Sequence, residues 1–428
     1  MISGGGSEKA EHWPVERPRV VIVGGGFGGL EVAKGLAKAP VEVVVIDRQN
    51  HHCFQPLLYQ VATAELSPAD VAWPIRGILR DQSNALVLMA EVRGIHVDAR
   101  CVLADPVKTP YDYLVLATGV THSYFGEDAW AACAPGLKQI DDAIHIRGRI
   151  LLAFERAELT QDSDEQRRLL TFVVIGGGPT GVEMAGAMAE VARHALWREF
   201  RRFKPESTRI LLLEAGPRIL PTFPDDLSAY AERALGRLGV EVRTSAKVSQ
   251  CDENGVEIGD ERIEAGTIVW AAGVTASPAA RWLGVEHDGA GRVKVAADLS
   301  VPDLDNVFVI GDTAAVPESI GPVPGIAPAA KQMGQHVARV IAAKVHGRQP
   351  AGPFAYRDRG DLAAIGRKAA VVRMGRLKLT GFVAWLFWGV AHIYFLIGIR
   401  HRLIVAINWL WNYVTFQRGA RLITNSRR

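Results

Sequence analysis

The chain has 428 residues, 48% hydrophobic and 22% charged, with a formal charge of +3. Such a chain is too long for one ordinary domain, fits two or three, and has the apolar content of a folded globular protein. The charge is unevenly placed: Leu362 to Arg428 holds eleven Lys or Arg and no Asp or Glu, while positions 1–361 hold 38 basic against 46 acidic residues. An acidic body with a basic tail suits an anionic partner surface.

Residues 1–17 are polar and Gly-rich, without the apolar core of a secretory signal, and are expected to be disordered. The first motif follows as VVIVGGGFGGL, Val20 to Leu30. Four apolar residues predict a buried strand, and Gly24, Gly26 and Gly29 have the G-x-G-x-x-G spacing before a helix, LEVAKGLAKA. In this spacing the first glycine permits a tight turn and the second lets the backbone approach a pyrophosphate. The third lets helix and strand pack closely, aiming the helix N-terminus at the phosphates. A second strand, VEVVVID, ends at Asp47, where a carboxylate accepts hydrogen bonds from a ribose diol. YDYLVLATG then runs an apolar strand into a small-residue turn at Ala117, Thr118 and Gly119, which lets the chain cross close beneath a cofactor.

The same plan recurs about 150 residues later. Strand TFVVI leads to Gly176, Gly178 and Gly181 and a helix, GVEMAGAMAEVARHAL, and strand RILLLE ends at Glu214. A carboxylate there favours a free 2′-hydroxyl and repels a 2′-phosphate, so NADH is expected over NADPH, with Arg218 nearby as the counter-argument. TIVWAAGV supplies another strand and turn, with Ala272 and Gly273, and NVFVIGDTA places Gly311 and Asp312 at a strand end. Two glycine turns with two strand-end acids predict two bound dinucleotides.

Beyond the motifs, LAAIGRKAAVVRM is strand-like, and Gly381 to Ile399 is nineteen residues without charge beyond His392. As one helix that stretch would reach about 28 Å at ~1.5 Å per residue, close to a hydrocarbon core of ~30 Å, so a transmembrane span is one reading. HRLIVAINWLWNYVTFQR is amphipathic, with Asn408, Asn412 and Thr415 on one face and Leu403, Ile407, Leu410, Trp411 and Val414 around the rest. Four of the ten Trp lie between Trp385 and Trp411, which with the acid-free tail fits a monotopic anchor at an anionic interface. A buried dimer interface is the alternative use of this apolar stripe. Cys53, Cys101, Cys133 and Cys251 form no CxxC or other close pair, which argues against a zinc site or a local redox disulfide and fits a reducing compartment.

The order VVIVGGGFGGL, LVLATG, VVIGGGPTGVE, VWAAGV and FVIGDTA resembles flavoprotein reductases that bind two dinucleotides. Within that group, HHCFQPLLYQVATAEL, VIGGGPTGVEMAGAMAE and VWAAGVTASP are very similar to type II NADH dehydrogenases, single-chain NADH:quinone oxidoreductases. The resemblance covers about residues 18–428. It implies an α/β fold of two Rossmann-like domains: FAD at 18–150 and 271–350, NADH at 151–270, and a membrane-associating region at 351–428. FAD would be held by Gly24, Gly25, Gly26, Phe27, Gly28, Gly29, Asp47 and Arg48, lined by Gln55, Ala117, Thr118 and Gly119, and contacted by Gly311 and Asp312. NADH would be held by Gly176, Gly177, Gly178, Pro179, Thr180, Gly181, Glu214, Ala272 and Gly273. Glu183 would sit near nicotinamide and flavin, or else merely complement a helix dipole.

One departure concerns the quinone site. Where the family often shows AQxAxQ, this chain has APAAKQ, with Pro328 for the first Gln, so Lys331 and Gln332 become the candidates for contacting quinone or the flavin carbonyls. The start of a surface helix is the alternative for both. The implied reaction is hydride from NADH to FAD, then two electrons to a membrane quinone without proton pumping. The implied location is the cytoplasmic face of the inner (plasma) membrane, peripheral to it, with no nucleic-acid partner. Three alternatives stand beside it: sulfide:quinone chemistry, a ferredoxin or rubredoxin reductase, and an NADH-binding redox sensor or assembly factor.

Overall fold

The computed structural model describes residues 17–196, 199–349, 352–415 and 419–423. The expected disordered start lies outside these apart from Arg17, as do Arg418, Arg427 and Arg428 of the basic tail. The chain opens with β1 (Arg19–Val23), α1 (Phe27–Gly35), β2 (Glu42–Asp47), β3 (Ala85–Met89) and β4 (Tyr113–Leu116). A long helix, α2 (Ile140–Leu159), precedes a second round of β5 (Thr171–Ile175), α3 (Pro179–Glu190), β6 (Arg209–Leu213) and β7 (Val240–Arg243). A meander of β8 (Val248–Asp252), β9 (Gly255–Ile258) and β10 (Glu261–Glu264) leads into β11 (Thr267–Trp270). After β12 (Leu304–Val309) and α4 (Ala327–Val345) come β13 (Asp361–Gly366), β14 (Ala369–Met374), β15 (Leu377–Thr380), α5 (Gly381–Phe395) and α6 (Ile399–Thr415).

These elements form two compact units. One comprises Met1–Asn50, Pro74–Gly119 and Ala276–Tyr356; the other comprises His51–Trp73, Val120–Thr275 and Arg357–Arg428. In the first unit, strands β12, β4, β1, β2 and β3 lie side by side in that order, all parallel. The apolar runs of β1, β2 and β4 follow from burial on both faces, as a parallel sheet requires. Glycines let α1 and α4 approach closely: a Cβ on Gly334 would lie 2.3 Å from the Gly28 carbonyl oxygen. Gln335 Nε2 also donates to Glu31 Oε2 across the same pair.

The second unit repeats the plan with the parallel order β7, β6, β5, β11, and keeps the β8–β10 meander. The packing draws boundaries different from those expected of the sequence. Residues 51–73 and 120–150 join the unit of the second glycine turn, because the short helix Leu58–Ala62 packs on α2. The C-terminal region is likewise no separate unit. Its antiparallel β13–β14–β15 sheet, whose first two strands are the expected strand-like stretch, lies on α3, where a Cβ on Gly186 would meet the Ile365 carbonyl oxygen at 2.7 Å.

The nineteen-residue apolar stretch does not form one helix. It breaks after Phe395: Leu396 takes an extended conformation and turns inward to 1% exposure, and Gly398 supplies a φ of +81°. Among the described residues no helix is long and apolar enough to cross a membrane, which replaces the transmembrane reading.

Candidate functional site

Each unit carries one glycine cradle, and the two are built alike. Gly24 has a φ of +105° and Gly176 a φ of +109°, a conformation that L side chains rarely adopt. A Cβ on Gly24 would lie 2.4 Å from the Ala117 carbonyl oxygen, and one on Gly176 would lie 2.7 Å from the Ala271 carbonyl carbon. The small-residue turns after β4 and β11 therefore do pass directly beneath the glycine turns. The third glycines close the packing, since a Cβ on Gly29 would reach 1.9 Å from the Gly24 oxygen and one on Gly181 1.8 Å from the Gly176 oxygen. The middle glycines differ: a Cβ on Gly26 or Gly178 would meet nothing within 4 Å. An open position at the N-terminal edge of a helix, with the backbone bare, is what a pyrophosphate needs. The residues present thus fit a dinucleotide at both cradles.

The strand-end acids lock the same geometry. Asp47 Oδ2 accepts from Gly25 N at 2.6 Å and Oδ1 from Gln49 N at 2.7 Å. Glu214 Oε2 accepts from Gly177 N at 2.6 Å and Oε1 from Gly216 N at 2.6 Å. Arg218, the residue that weakened the case for NADH, is engaged elsewhere: it donates to the carbonyls of Phe223 and Pro221 and pairs with Asp225 at 2.9 Å. The guanidinium of Arg218 is thus held by its own loop.

Other expected residues divide between the units. Arg48 is exposed just beyond β2, and Gly311 and Asp312 begin a short turn of helix after β12 whose Thr313 donates to the Gly119 oxygen at 2.8 Å. Lys331 lies in the second turn of α4 with its Nζ 5.4 Å above the Phe27 ring of the first cradle; Gln332 follows it. Gln55 belongs instead to the second unit, where its Nε2 donates to the Lys138 oxygen at 3.3 Å. Pro179 and Thr180 form the first turn of α3, and Gly273 takes a φ of +68° after β11.

Glu183 stands one turn deeper in α3 than a dipole-complementing carboxylate, and its side chain leaves the helix terminus for the C-terminal sheet. Glu183 Oε1 accepts from Ala364 N at 3.2 Å. It lines a cavity of about 60 Å³ with Tyr59, Gln60, Glu65, Glu190, Arg367 and the indoles of Trp385, Trp388 and Trp409. Burial pushes its carboxyl up to about 8, against the smaller opposing effects of the Ala364 N–H and the Trp388 indole. The Trp388 Nε1 itself is buried and lacks a partner of hydrogen-bond geometry. Burial and the nearby Glu183 and Glu65 charges also raise the Tyr59 phenol well above its ordinary value. A chain of donors closes the wall: Trp409 Nε1 to Gln60 Oε1 at 2.9 Å, and Gln60 Nε2 to the Tyr59 oxygen at 3.2 Å. Of these cavity partners only Trp385, Trp388 and Trp409 were noted from sequence, as part of the interfacial tryptophan cluster rather than as cavity walls. Tyr59 and Trp409 are 350 positions apart, and no motif links them.

The last two helices turn the usual amphipathic logic outward. Phe382, Val383, Leu386, Val390 and Tyr394 of α5 are 50–66% exposed, and Ile399, Leu403, Ile407, Leu410 and Trp411 of α6 are 58–75% exposed. Asn412 meanwhile donates inward to the Glu65 oxygen, beside Trp409. Asn412 of the polar face thus bonds the protein, while these apolar residues are left outside.

Two of the free cysteines meet in space though not in sequence. Cys133 and Cys251 are 118 positions apart, yet their Sγ atoms lie 3.1 Å from each other in the second unit. Among the described residues no cluster of His, Cys, Asp and Glu could hold a metal ion.

Three comparisons bear on this arrangement. The family described as pyridine nucleotide-disulphide oxidoreductase matches residues 18–334. The chain is 44% identical to the type II NADH:quinone oxidoreductase Ndh of Mycobacterium tuberculosis, over 97% of this chain and 92% of that protein. It is 31% identical to the mitochondrial internal alternative NAD(P)H-ubiquinone oxidoreductase A1 of Arabidopsis thaliana, over 93% of this chain and 84% of that one. Its fold is similar to that of NDH2 from Plasmodium falciparum, solved in complex with NADH, with a TM-score of 0.86 at 21% identity over 96% of this chain and all of that one.

Proposed function

Because the chain belongs to the pyridine nucleotide-disulphide oxidoreductase family and, within it, to the type II NADH:quinone oxidoreductases, we propose that it oxidises NADH and delivers two electrons to a membrane quinone through bound FAD, without pumping protons. The observation that carries this is the pair of cradles, each with an open phosphate position and each closed by a strand-end carboxylate. We assign FAD to the cradle of Gly24–Gly29 and Asp47, and NADH to that of Gly176–Gly181 and Glu214. FAD supplies the acceptor of hydride and the carrier of the electron pair.

The protein's own residues do the rest. Glu214 selects the unphosphorylated ribose, and the backbone of Gly178 leaves room for the pyrophosphate. Lys331, at the first cradle, places a positive charge that favours negative charge on a reduced ring. Quinone reduction consumes protons, and Glu183 holds one at neutral pH in a cavity walled by aromatic rings. Gln332 is assigned to the acceptor side.

The outward apolar faces of α5 and α6, with Arg400 and Arg402 and no acid nearby in sequence, support docking in the interface of an anionic bilayer. We place the protein on the cytoplasmic side; a homodimer through the same faces is compatible. Sulfide chemistry has less support, since no cysteine follows Cys251. The test is an absorption spectrum of the purified protein. Yellow flavin bands that bleach with NADH and return with quinone support the reading; a colourless protein after flavin supplementation rejects it.

A further inference from the structure

Cys133 follows the short 3-10 helix Asp128–Ala132, and Cys251 lies on β8. Both are buried to within 9% exposure, and their sulfurs are 3.1 Å apart. Cys133 also lines a pocket of about 520 Å³ formed chiefly by α2, together with Arg149, Arg156, His145 and Glu253. The Arg149 guanidinium donates to the Cys133 carbonyl oxygen at 2.6 Å, which fixes a positive charge beside the thiol pair. Arg168 lines the same pocket, but Glu165 holds it through two bonds of 2.7 Å. The basic character of the pocket therefore rests on Arg149 and Arg156. Cys133 is among the residues that line the pocket and Cys251 is not.

We propose that Cys133 and Cys251 form a reversible disulfide, and that the pocket admits the oxidant, an anionic low-molecular-weight disulfide. The Cys133 thiolate attacks one sulfur of that disulfide, the reagent's S–S bond breaks, and one small thiol leaves. Cys251, whose thiol burial and the neighbouring Cys133 hold well above its ordinary value, then gives up its proton to the departing sulfur as it attacks Cys133 in the mixed disulfide and releases the second small thiol. The two protein thiols lose two protons and two electrons, and the two leaving thiols carry both away. A covalent bond of about 2.05 Å needs the sulfurs to close by about 1 Å. Both cysteines belong to the unit of the second cradle and to the hydrophobic cluster around Trp270.

The experiment uses the full-length protein treated with oxidised glutathione, then denatured, its thiols counted and its peptides mapped without reduction. The expected result is a fall from four thiols to two, one cross-linked peptide joining Cys133 to Cys251, and full recovery with dithiothreitol. Cys133→Ser and Cys251→Ser should each abolish that peptide, whereas a Cys53→Ser, Cys101→Ser double variant should retain it. Four remaining thiols, or a cross-link through Cys53 or Cys101, would overturn the proposal; the wild-type map decides this even if a variant fails to fold. Arg156→Glu, at the exposed rim, should slow oxidation by glutathione disulfide about fivefold or more while leaving oxidation by the neutral reagent diamide unchanged. Equal slowing by both reagents would remove the pocket from the route.

Discussion

Asp47 and Glu214 perform one task at two addresses, each holding a glycine-turn amide at 2.6 Å. Glu214 makes two such charge-assisted bonds and would lose both on truncation. Glu214→Ala should therefore raise the Michaelis constant for NADH by roughly 10- to 100-fold, about 1.4–2.8 kcal/mol, with flavin content unchanged. Steady-state kinetics alongside the flavin spectrum check this, and flavin loss would mean that the cradles are assigned in reverse. Glu183 makes a different prediction. Its folded value, about 8, stands above the ordinary 4.5, so the folded state binds the proton more tightly than the unfolded chain. That contribution to stability is complete below about pH 4.5 and is lost as pH rises through 8. Relative to Glu183→Gln, which stays neutral throughout, the natural protein should lose on the order of 3–5 kcal/mol between pH 4 and 9. Denaturant melts at several pH values measure it, and parallel profiles for the two proteins would refute it. Gln332→Ala should slow reoxidation by quinone more than reduction by NADH in stopped-flow traces.

At the scale of elements, the helix that follows each glycine turn depends on one missing Cβ. Gly181→Ala would place a methyl 1.8 Å from the Gly176 oxygen, and Gly29→Ala would do the same to Gly24 at 1.9 Å. The first should abolish NADH-dependent turnover while leaving bound flavin, and the second should cost the yellow cofactor; absorbance and NADH titration separate them. Helices α5 and α6 call for substitution rather than deletion, because α5 packs on β14 and Trp388 helps to wall the Glu183 cavity. Changing Leu386 and Ile407 together to Glu removes apolar surface that is 53% and 63% exposed. Co-sedimentation with anionic vesicles should then fall at least tenfold, while NADH oxidation with a soluble acceptor persists. Unchanged sedimentation would assign these faces to a protein partner instead.

Across the whole molecule, the acidic body and basic tail visible in the composition correspond to a chain whose last helices expose apolar and basic surface together. Strands β1, β2, β4, β5, β6, β11 and β12, both glycine turns, their acids and the turns crossing beneath them were legible in order along the chain, whereas the edge strands β3 and β7 were not. Each is a local pattern in which one residue type at one spacing has few other uses: Gly24 must turn left-handed, and β1 must be apolar on both faces. The break at Leu396 was not legible, because nineteen apolar residues satisfy a continuous helix equally well until a core exists for Leu396 to fill. Nor was the cavity around Glu183, whose walls come from residues 59–65, 183–190, 364–367 and 385–413. The cysteine pair was hidden for the same reason. Sequence by itself determined the two nucleotide cradles, since short-range backbone geometry dictates them. Only the tertiary structure decided where Glu183 points, which side of α6 faces out and which thiols meet, since these depend on contacts between segments far apart in the chain.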